Sequence, residues 1–63
     1  MSVKLARIKK NLSQSELSKL TGIGINSIVK IEKDNFGSIK FDTLMKLSKF
    51  LEVPFEELFL KED

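Results

Sequence analysis

The residue types that carry most enzyme chemistry are missing from this sequence. It contains no histidine and no cysteine, which removes the usual general base, the thiolate nucleophile and the common zinc ligands. Only carboxylates, lysines and hydroxyls remain for catalysis, so we do not expect an enzyme, and no metal or cofactor is implied. The lack of cysteine also agrees with an intracellular setting, where disulfides are rare.

The closely spaced glycines Gly22 and Gly24 raise the question of a phosphate-binding loop. A nucleotide-binding fingerprint needs a preceding strand and a third glycine, and Ser27 stands at that third position. The residues on both sides have the spacing of short helices instead. We therefore interpret Gly22 as the end of one helix, in a left-handed conformation, and Gly24 as the N-cap of the next.

Length and composition predict one small domain over residues 1–63. Hydrophobic residues make up 41% and charged residues 32%, a globular balance, and a chain this short is marginally stable, so a dimer interface would help it. No membrane span or signal peptide is evident, and a cytoplasmic protein is expected. Residues 1–40 hold eight Lys or Arg against three acids, and residues 41–63 hold three against six. This asymmetry indicates a side that faces a polyanion, although ordinary solvated lysines explain it about as well.

The spacing of apolar residues predicts five short helices and no strand. Their approximate ranges are 2–10, 14–21, 25–33, 41–51 and a short last helix after Pro54. Asn11 tolerates the left-handed conformation that commonly follows a helix. The residues expected to face inward are Leu5, Ile8 and Leu12 in the first helix, Leu17 and Leu20 in the second, Ile28 and Ile31 in the third, Phe41, Leu44, Leu47 and Leu51 in the fourth, and Phe55, Leu58 and Phe59 in the last.

The start of the second helix has the clearest local pattern. Ser13 and Glu16 have the Ser-x-x-Glu spacing of a capping box, in which each side chain bonds the other's backbone N–H. Leu12 and Leu17 flank it as a hydrophobic staple. The third helix then leaves a polar and basic outer face beyond a glycine turn, which is typical of a helix-turn-helix. Spacing alone leaves a plain helical bundle about equally possible.

The stretch "LSQSELSKLTGIGINSIVKIEKD" resembles the helix-turn-helix of the phage repressor and Cro type, the XRE family. The matching positions are Leu12, Ser13, Gln14, Leu17, Gly22, Ile28 and Glu32, and the likeness extends over nearly the whole chain. It implies an all-α, compact, five-helix, lambda-repressor-like domain. It also implies a regulator of transcription, with a repressor favoured, that binds a pseudo-palindromic site on double-stranded DNA as a homodimer. Such a protein would be prokaryotic or phage-encoded and nucleoid-associated when bound.

The resemblance assigns roles to the outer face of the third helix. Asn26 can bond adenine bidentately, and the apolar pair Ile25 and Val29 can contact thymine methyl groups. Lys30 and Ser27 can reach either a base edge or a phosphate. An exposed Asn26 without a role is the alternative for that residue. For Ile25 and Val29 the alternative is a protein partner, which would make the chain a small antitoxin-like interaction module.

Other positions are assigned backbone or structural roles, of which those of Gln14, Arg7 and Glu32 rest on the same resemblance. Phosphate contacts are expected from Ser13, Gln14, Lys33 and Lys40. For Gln14 a solvent-exposed side chain without a role is the alternative. A mostly buried ion pair between Arg7 and Glu32 should join the first helix to the third. Possible dimer contacts are Phe36, Pro54 and Phe55.

Three departures from the family pattern affect these expectations. Gly24 replaces the usual capping Ser, so the recognition helix begins with bare backbone N–H groups. Asp34 replaces a Gly, and Asp is one of the few other residues that adopt the left-handed conformation. Ile39 and Lys40 replace Pro-Ser, so the loop before the fourth helix should differ in shape.

Overall fold

The computed structural model describes residues 1–60, and five α-helices are the regular elements of that part of the chain. They are α1 (Val3–Lys9), α2 (Gln14–Thr21), α3 (Ile25–Glu32), α4 (Phe41–Leu51) and α5 (Phe55–Phe59). The predicted all-α, five-helix domain is confirmed, and each predicted helix lies within about one residue of its observed bounds. Residues 61–63, which contribute to the acidic tail counted above, lie outside the described residues.

The start of α2 is fastened by the predicted capping box. The Ser13 hydroxyl accepts the Glu16 N–H at 3.0 Å, and the Glu16 carboxylate accepts the Ser13 N–H at 2.8 Å. The helix ends at Gly22, whose φ of 76° is left-handed as predicted. Both ends of α2 are therefore set by residues close in sequence.

The turn between α2 and α3 is held by two hydroxyl groups. Ser18 donates to the carbonyl of Ile23 at 2.6 Å, and Thr21 accepts the Ile23 N–H at 3.2 Å. Thr21 also donates to the Leu17 carbonyl at 2.7 Å. Since both polar groups of Ile23 are satisfied, this buried residue can lie in the turn without an unpaired backbone group.

Left-handed residues end three of the other helical segments. Asn11 and Asp34 have φ of 58° and 60°, as predicted for these residue types, and Glu52 has φ of 59°. The conformation of Glu52 was not predicted, because Glu lacks the short side chain that favours it in Asn and Asp. At the end of α4, Ser48 donates to the Val53 carbonyl at 2.6 Å, the same i to i+5 bond that Ser18 makes after α2.

One hydrophobic core joins all five helices. Its fully or nearly fully buried members include Leu17, Ile28, Ile31, Leu47 and Leu58. Phe36, Phe55 and four other apolar residues pack partly buried against it. The predicted inward positions of α3 are thus confirmed, and so are Leu44, Leu47 and Leu51 of α4.

The predicted inward face of α1 is wrong. Leu5 and Ile8 are exposed, and α1 buries Val3, Ala6 and Arg7 instead. Val3, Ala6 and Arg7 share one face at i, i+3 and i+4, opposite to Leu5 and Ile8. Arg7 decides between the two faces because its guanidinium must point inward to reach Glu32.

Leu20 and Phe41 were also predicted to face inward and are exposed. In α2 the second inward position is Thr21, four residues after Leu17, because its hydroxyl holds the turn. Phe41 is the first residue of α4 and is 62% exposed, and its ring contacts that of Phe55 at 5.1 Å between centroids.

Four of the five phenylalanines form a continuous row. Phe36 packs edge-on against Phe59 at 5.2 Å, and Phe59 contacts Phe55 at 5.0 Å. Phe36 and Phe55, predicted as possible dimer contacts, therefore contact rings of their own chain. Phe41, at the other end of the row, is its exposed member. A dimer contact at these residues stays a prediction.

Within residues 1–60 no helix is long and apolar enough to cross a membrane. The same residues contain no cluster of side chains that could hold a metal ion.

Candidate nucleic-acid interface

The outer face of α3 carries the side chains predicted to read bases. Ile28 and Ile31 are buried, which turns Asn26 and Lys30 outward, one helical turn apart, and both are exposed. Ile25, at the first position of α3, is 41% exposed. The helix thus presents an amide and an ammonium to solvent along one strip, with an apolar side chain beside them at the N-terminal end.

Ser27 and Val29 are placed differently from these three. Both are half-buried, because they flank the buried Ile28 on either side of the helix. Val29 lies one turn after Ile25, as its spacing predicts, but less of it is available to a ligand. Of the five predicted base-reading residues, Ile25, Asn26 and Lys30 are the most accessible.

The N-terminus of α3 has no side-chain cap. Gly24 occupies the N-cap position with φ of −57°, and no side-chain hydrogen bond is made there. A Cβ atom added at Gly24 would have no neighbour within 4 Å outside the adjacent residues and the backbone of its own helix. The first N–H groups of α3 are therefore left to solvent or to a ligand, at the end of the helix that carries Ile25 and Asn26.

The other end of α3 is anchored by the predicted ion pair. The Arg7 Nε donates to Glu32 Oε2 at 2.7 Å, and Arg7 Nη2 donates to Glu32 Oε1 at 3.2 Å. Only 11% of the Arg7 side chain and 6% of the Glu32 side chain are exposed. The hydrogen bonds that Arg7 donates to Glu32 raise the pKa of Arg7 above its ordinary value, against the opposing effect of burial.

The same anchor reaches the start of α2. Arg7 Nη1 donates to the Leu12 carbonyl at 2.7 Å, and Gln14 Nε2 donates to Glu32 Oε1 at 3.1 Å. Gln14 is half-buried, so it is not the freely solvated side chain that was its alternative interpretation. We call Arg7, Gln14 and Glu32 the anchor network. It ties α1, the start of α2 and the end of α3 together.

The remaining predicted phosphate contacts lie on the surface. Ser13, Lys33 and Lys40 are exposed. The Ser13 hydroxyl is occupied by its capping bond, whereas Lys33 follows the last residue of α3 and Lys40 precedes the first residue of α4. Their positions leave both ammonium groups accessible from solvent.

Two features of the site were not predicted from the sequence. The Ser18 hydroxyl holds the turn, and this role depends on the position of the Ile23 carbonyl. The Lys10 ammonium pairs with the Glu52 carboxylate at 3.1 Å. These partners are set by tertiary structure, and no local pattern indicates them.

Comparisons with known proteins identify the family. A family model described as helix-turn-helix matches residues 3–58. The chain is also 36% identical over 62 residues to an uncharacterised HTH-type transcriptional regulator of Methanocaldococcus jannaschii, a match that covers 97% of this chain and 91% of the relative. No solved structure matches the chain. The protein belongs to the helix-turn-helix family of the XRE type.

Proposed function

We propose that this protein is a sequence-specific transcriptional regulator, most simply a repressor, that binds a pseudo-palindromic operator in double-stranded DNA as a homodimer. The observation that carries the proposal is the outer face of α3, where Asn26 and Lys30 are exposed beside Ile25 while the opposite face is held in the core. A helix presented in this way fits the roughly 12 Å wide major groove. In a dimer the two copies of α3 would enter successive major grooves about 34–36 Å apart.

The proposed role of each residue follows from the chemistry of its side chain. The Asn26 amide bonds adenine N6 and N7, and Ile25 with the accessible part of Val29 contacts thymine methyl groups. Lys30 reaches a base edge or a phosphate, and Ser27 has the same two options at shorter reach. Lys33, Lys40, Gln14 and the N-terminus of α2 at Ser13 contact phosphates, which sets the register on the duplex without carrying sequence information.

The experiment is selection of bound duplexes from a random pool, followed by anisotropy titrations of the selected and a random duplex at two salt concentrations. We expect Asn26→Ala to cost about 1–3 kcal/mol on the selected site and little on random DNA. Lys33→Ala should weaken both duplexes similarly and reduce the salt slope by about 0.9. Lys49→Ala, an exposed lysine of α4 with no assigned contact, is the matched control for charge. Binding without a steep salt dependence, or equal losses for Asn26→Ala on both duplexes, would contradict the proposal.

We place the dimer contact at Pro54 and Phe55, next to the exposed ring of Phe41. Phe36 contributes only indirectly, because its ring packs on Phe59 inside the domain. Sedimentation equilibrium of Phe41→Ala against the wild type tests this contact, with Leu20→Ala as the control for loss of an exposed apolar side chain elsewhere. A wild type that is monomeric with and without operator DNA would overturn the dimer.

A protein-interaction module is the second candidate, and the exposure of Ile25 favours it. On that account α3 would bind an apolar groove on a partner, and the interaction would depend weakly on salt. The selection and titrations above separate the two functions, since a failure to select any duplex that binds at low salt would leave the protein partner as the better explanation.

A further inference from the structure

The Gln14 side chain has a fixed orientation because its partner is a carboxylate. Gln14 Nε2 lies 3.1 Å from Glu32 Oε1, and Glu32 is nearly buried. An ionised carboxylate only accepts hydrogen bonds, so it must face the NH2 end of the Gln14 amide and not the carbonyl end. One amide hydrogen is used in this bond, and the second points away from Glu32 in the plane of the amide.

A phosphate accepts hydrogen bonds, so a neutral side chain binds it by turning a donor such as the Gln14 NH2 toward it. A freely rotating glutamine presents its oxygen as readily as its nitrogen, and the oxygen would repel a phosphate. Glu32 removes that choice before any ligand arrives. Fewer conformations of Gln14 then have to be given up on binding, which is the advantage of a preorganised contact.

Arg7 makes the arrangement compatible with DNA. A carboxylate behind the interface would on its own repel a phosphate. Glu32 accepts two hydrogen bonds from the Arg7 guanidinium, at 2.7 and 3.2 Å, so that the pair has no net charge. The third bond of Arg7, to the Leu12 carbonyl, holds the backbone that leads into α2.

We propose that Glu32 is a positioning residue for DNA-backbone binding, which directs an N–H of Gln14 toward a phosphate. The proposal rests on the function proposed above. It gives the anchor network a second role besides stability, because the end of the recognition helix then determines whether the start of α2 is ready to bind the backbone. A change that displaces the Glu32 carboxylate would weaken binding to every DNA sequence.

A double-mutant cycle on DNA affinity tests the coupling. Gln14→Met keeps the length of the side chain and removes its donors. Glu32→Gln keeps the shape of the acceptor, but an amide no longer dictates which end of the Gln14 amide faces it. We expect Gln14→Met to lower affinity about tenfold in the native background and less than about twofold in the Glu32→Gln background, on selected and random duplexes alike. Each titration is made at a temperature where circular dichroism shows the variant folded.

Lys40→Met is the control, since it removes a proposed phosphate contact that does not involve Glu32. Its effect should be the same in both backgrounds, and it should reduce the salt slope by about 0.9, whereas Gln14→Met should leave the slope unchanged because glutamine is neutral. Equal losses for Gln14→Met in the two backgrounds would overturn the positioning role while leaving the proposed function intact. A wild type that binds no duplex would overturn both.

A second measurement does not depend on the folding of a variant. Gln14 is the single glutamine of the chain, so its side-chain NH2 gives the only glutamine pair of hydrogen signals in the NMR spectrum. We expect a high order parameter for this group in the free protein and a further chemical-shift change of one of its two hydrogens on adding operator DNA. Asn26 in the same spectrum is the reference for an exposed amide. A Gln14 amide as mobile as that of Asn26, or unchanged by DNA, would refute the proposal.

Discussion

Helices α2 and α3 have eight residues each and follow one another in a single motif, yet they are held in opposite ways. The start of α2 is closed by a capping box between Ser13 and Glu16, whereas the start of α3 has only Gly24. At its far end α3 is fixed by the ion pair of Glu32 with Arg7. The helix proposed to read DNA is thus fixed at its C-terminal end. Its N-terminal end, which carries the proposed base-reading side chains, has no side-chain cap.

The difference shows what a helix needs when its N-terminus must meet a ligand. Short isolated helices are marginal in water, and tertiary packing supplies most of their stability. In α3 that packing comes from the buried Ile28 and Ile31. Caps can therefore be omitted at the exposed end, where they would occupy N–H groups that a ligand can use.

The largest expected effect comes from breaking the anchor of α3. Glu32→Ala leaves the Arg7 guanidinium buried without its partner, which typically costs about 3–5 kcal/mol and is enough to unfold so small a domain. Thermal unfolding by circular dichroism measures it. Lys10→Ala, which breaks the exposed pair with the 79% exposed Glu52 side chain, should cost less than about 1 kcal/mol. A Glu32→Ala melting temperature within a few degrees of the wild type would refute the assigned role.

A smaller loss of stability is expected when the capping box at the start of α2 is removed. Ser13→Ala removes the hydroxyl that accepts the Glu16 N–H and should cost about 0.5–2 kcal/mol in urea denaturation. Ser15→Ala, two residues later on the exposed side of the same turn, is the control and should change stability by less than about 0.5 kcal/mol. Similar values for the two variants would mean that the capping box contributes nothing measurable.

Adding a side-chain cap at the start of α3 should increase stability, the opposite of the effect expected for Ser13→Ala. Gly24 has an ordinary φ of −57° and open space around a side chain, so Gly24→Ser should stabilise the domain by a few tenths of a kcal/mol, roughly the Gly-to-Ser difference at N-caps. Gly22→Ala is the counterpart, because φ of 76° makes it unfavourable by about 1–2 kcal/mol. Urea denaturation measures the free energy of unfolding of both variants. A loss of stability in Gly24→Ser would contradict the open N-cap.

The smallest effect concerns pH. Hydrogen bonds with Ser13, first its backbone N–H and then its side chain, lower the pKa of Glu16 below its ordinary value of 4.5. A lowered native pKa stabilises the fold above the unfolded-state value, and that stabilisation is lost as pH falls below about 4.5 toward the native pKa. The stability difference between wild type and Glu16→Gln should therefore shrink between pH 7 and pH 3. An unchanged difference would argue against the carboxylate's part in the cap. The first turn of α3 has no acidic residue and contributes no such dependence.

Local features of the fold were predictable, whereas the inward face of α1 was not. The capping box, the left-handed Gly22 and the conformations of Asn11 and Asp34 each depend on a few neighbouring residues. Which side of α1 faces inward depends instead on Glu32, 25 residues away. An apolar stripe such as Leu5 and Ile8 cannot indicate that a charged side chain on the other face determines the packing.

The candidate site shows the same division. The exposure of Asn26 and Lys30 followed from the helical period once Ile28 and Ile31 were taken as buried. The bond between Gln14 and Glu32 did not, because it joins residues 18 apart whose distance is set by how α2 crosses α3. The DNA contacts themselves stay predictions until a duplex is bound.

The separation in sequence between Arg7 and Glu32 also determines when they meet during folding. The glycine turn lets α2 and α3 pair at once, whereas the ion pair must close a loop of 25 residues, with the entropy that this costs. We expect the pair to form after the transition state, so Glu32→Gln, which weakens the pair while keeping the shape of the acceptor, should accelerate unfolding and leave the folding rate nearly unchanged in stopped-flow measurements. The anchor network would then act chiefly on how long a folded molecule survives, and hence on how long a regulator of this size stays intact between successive encounters with its ligand.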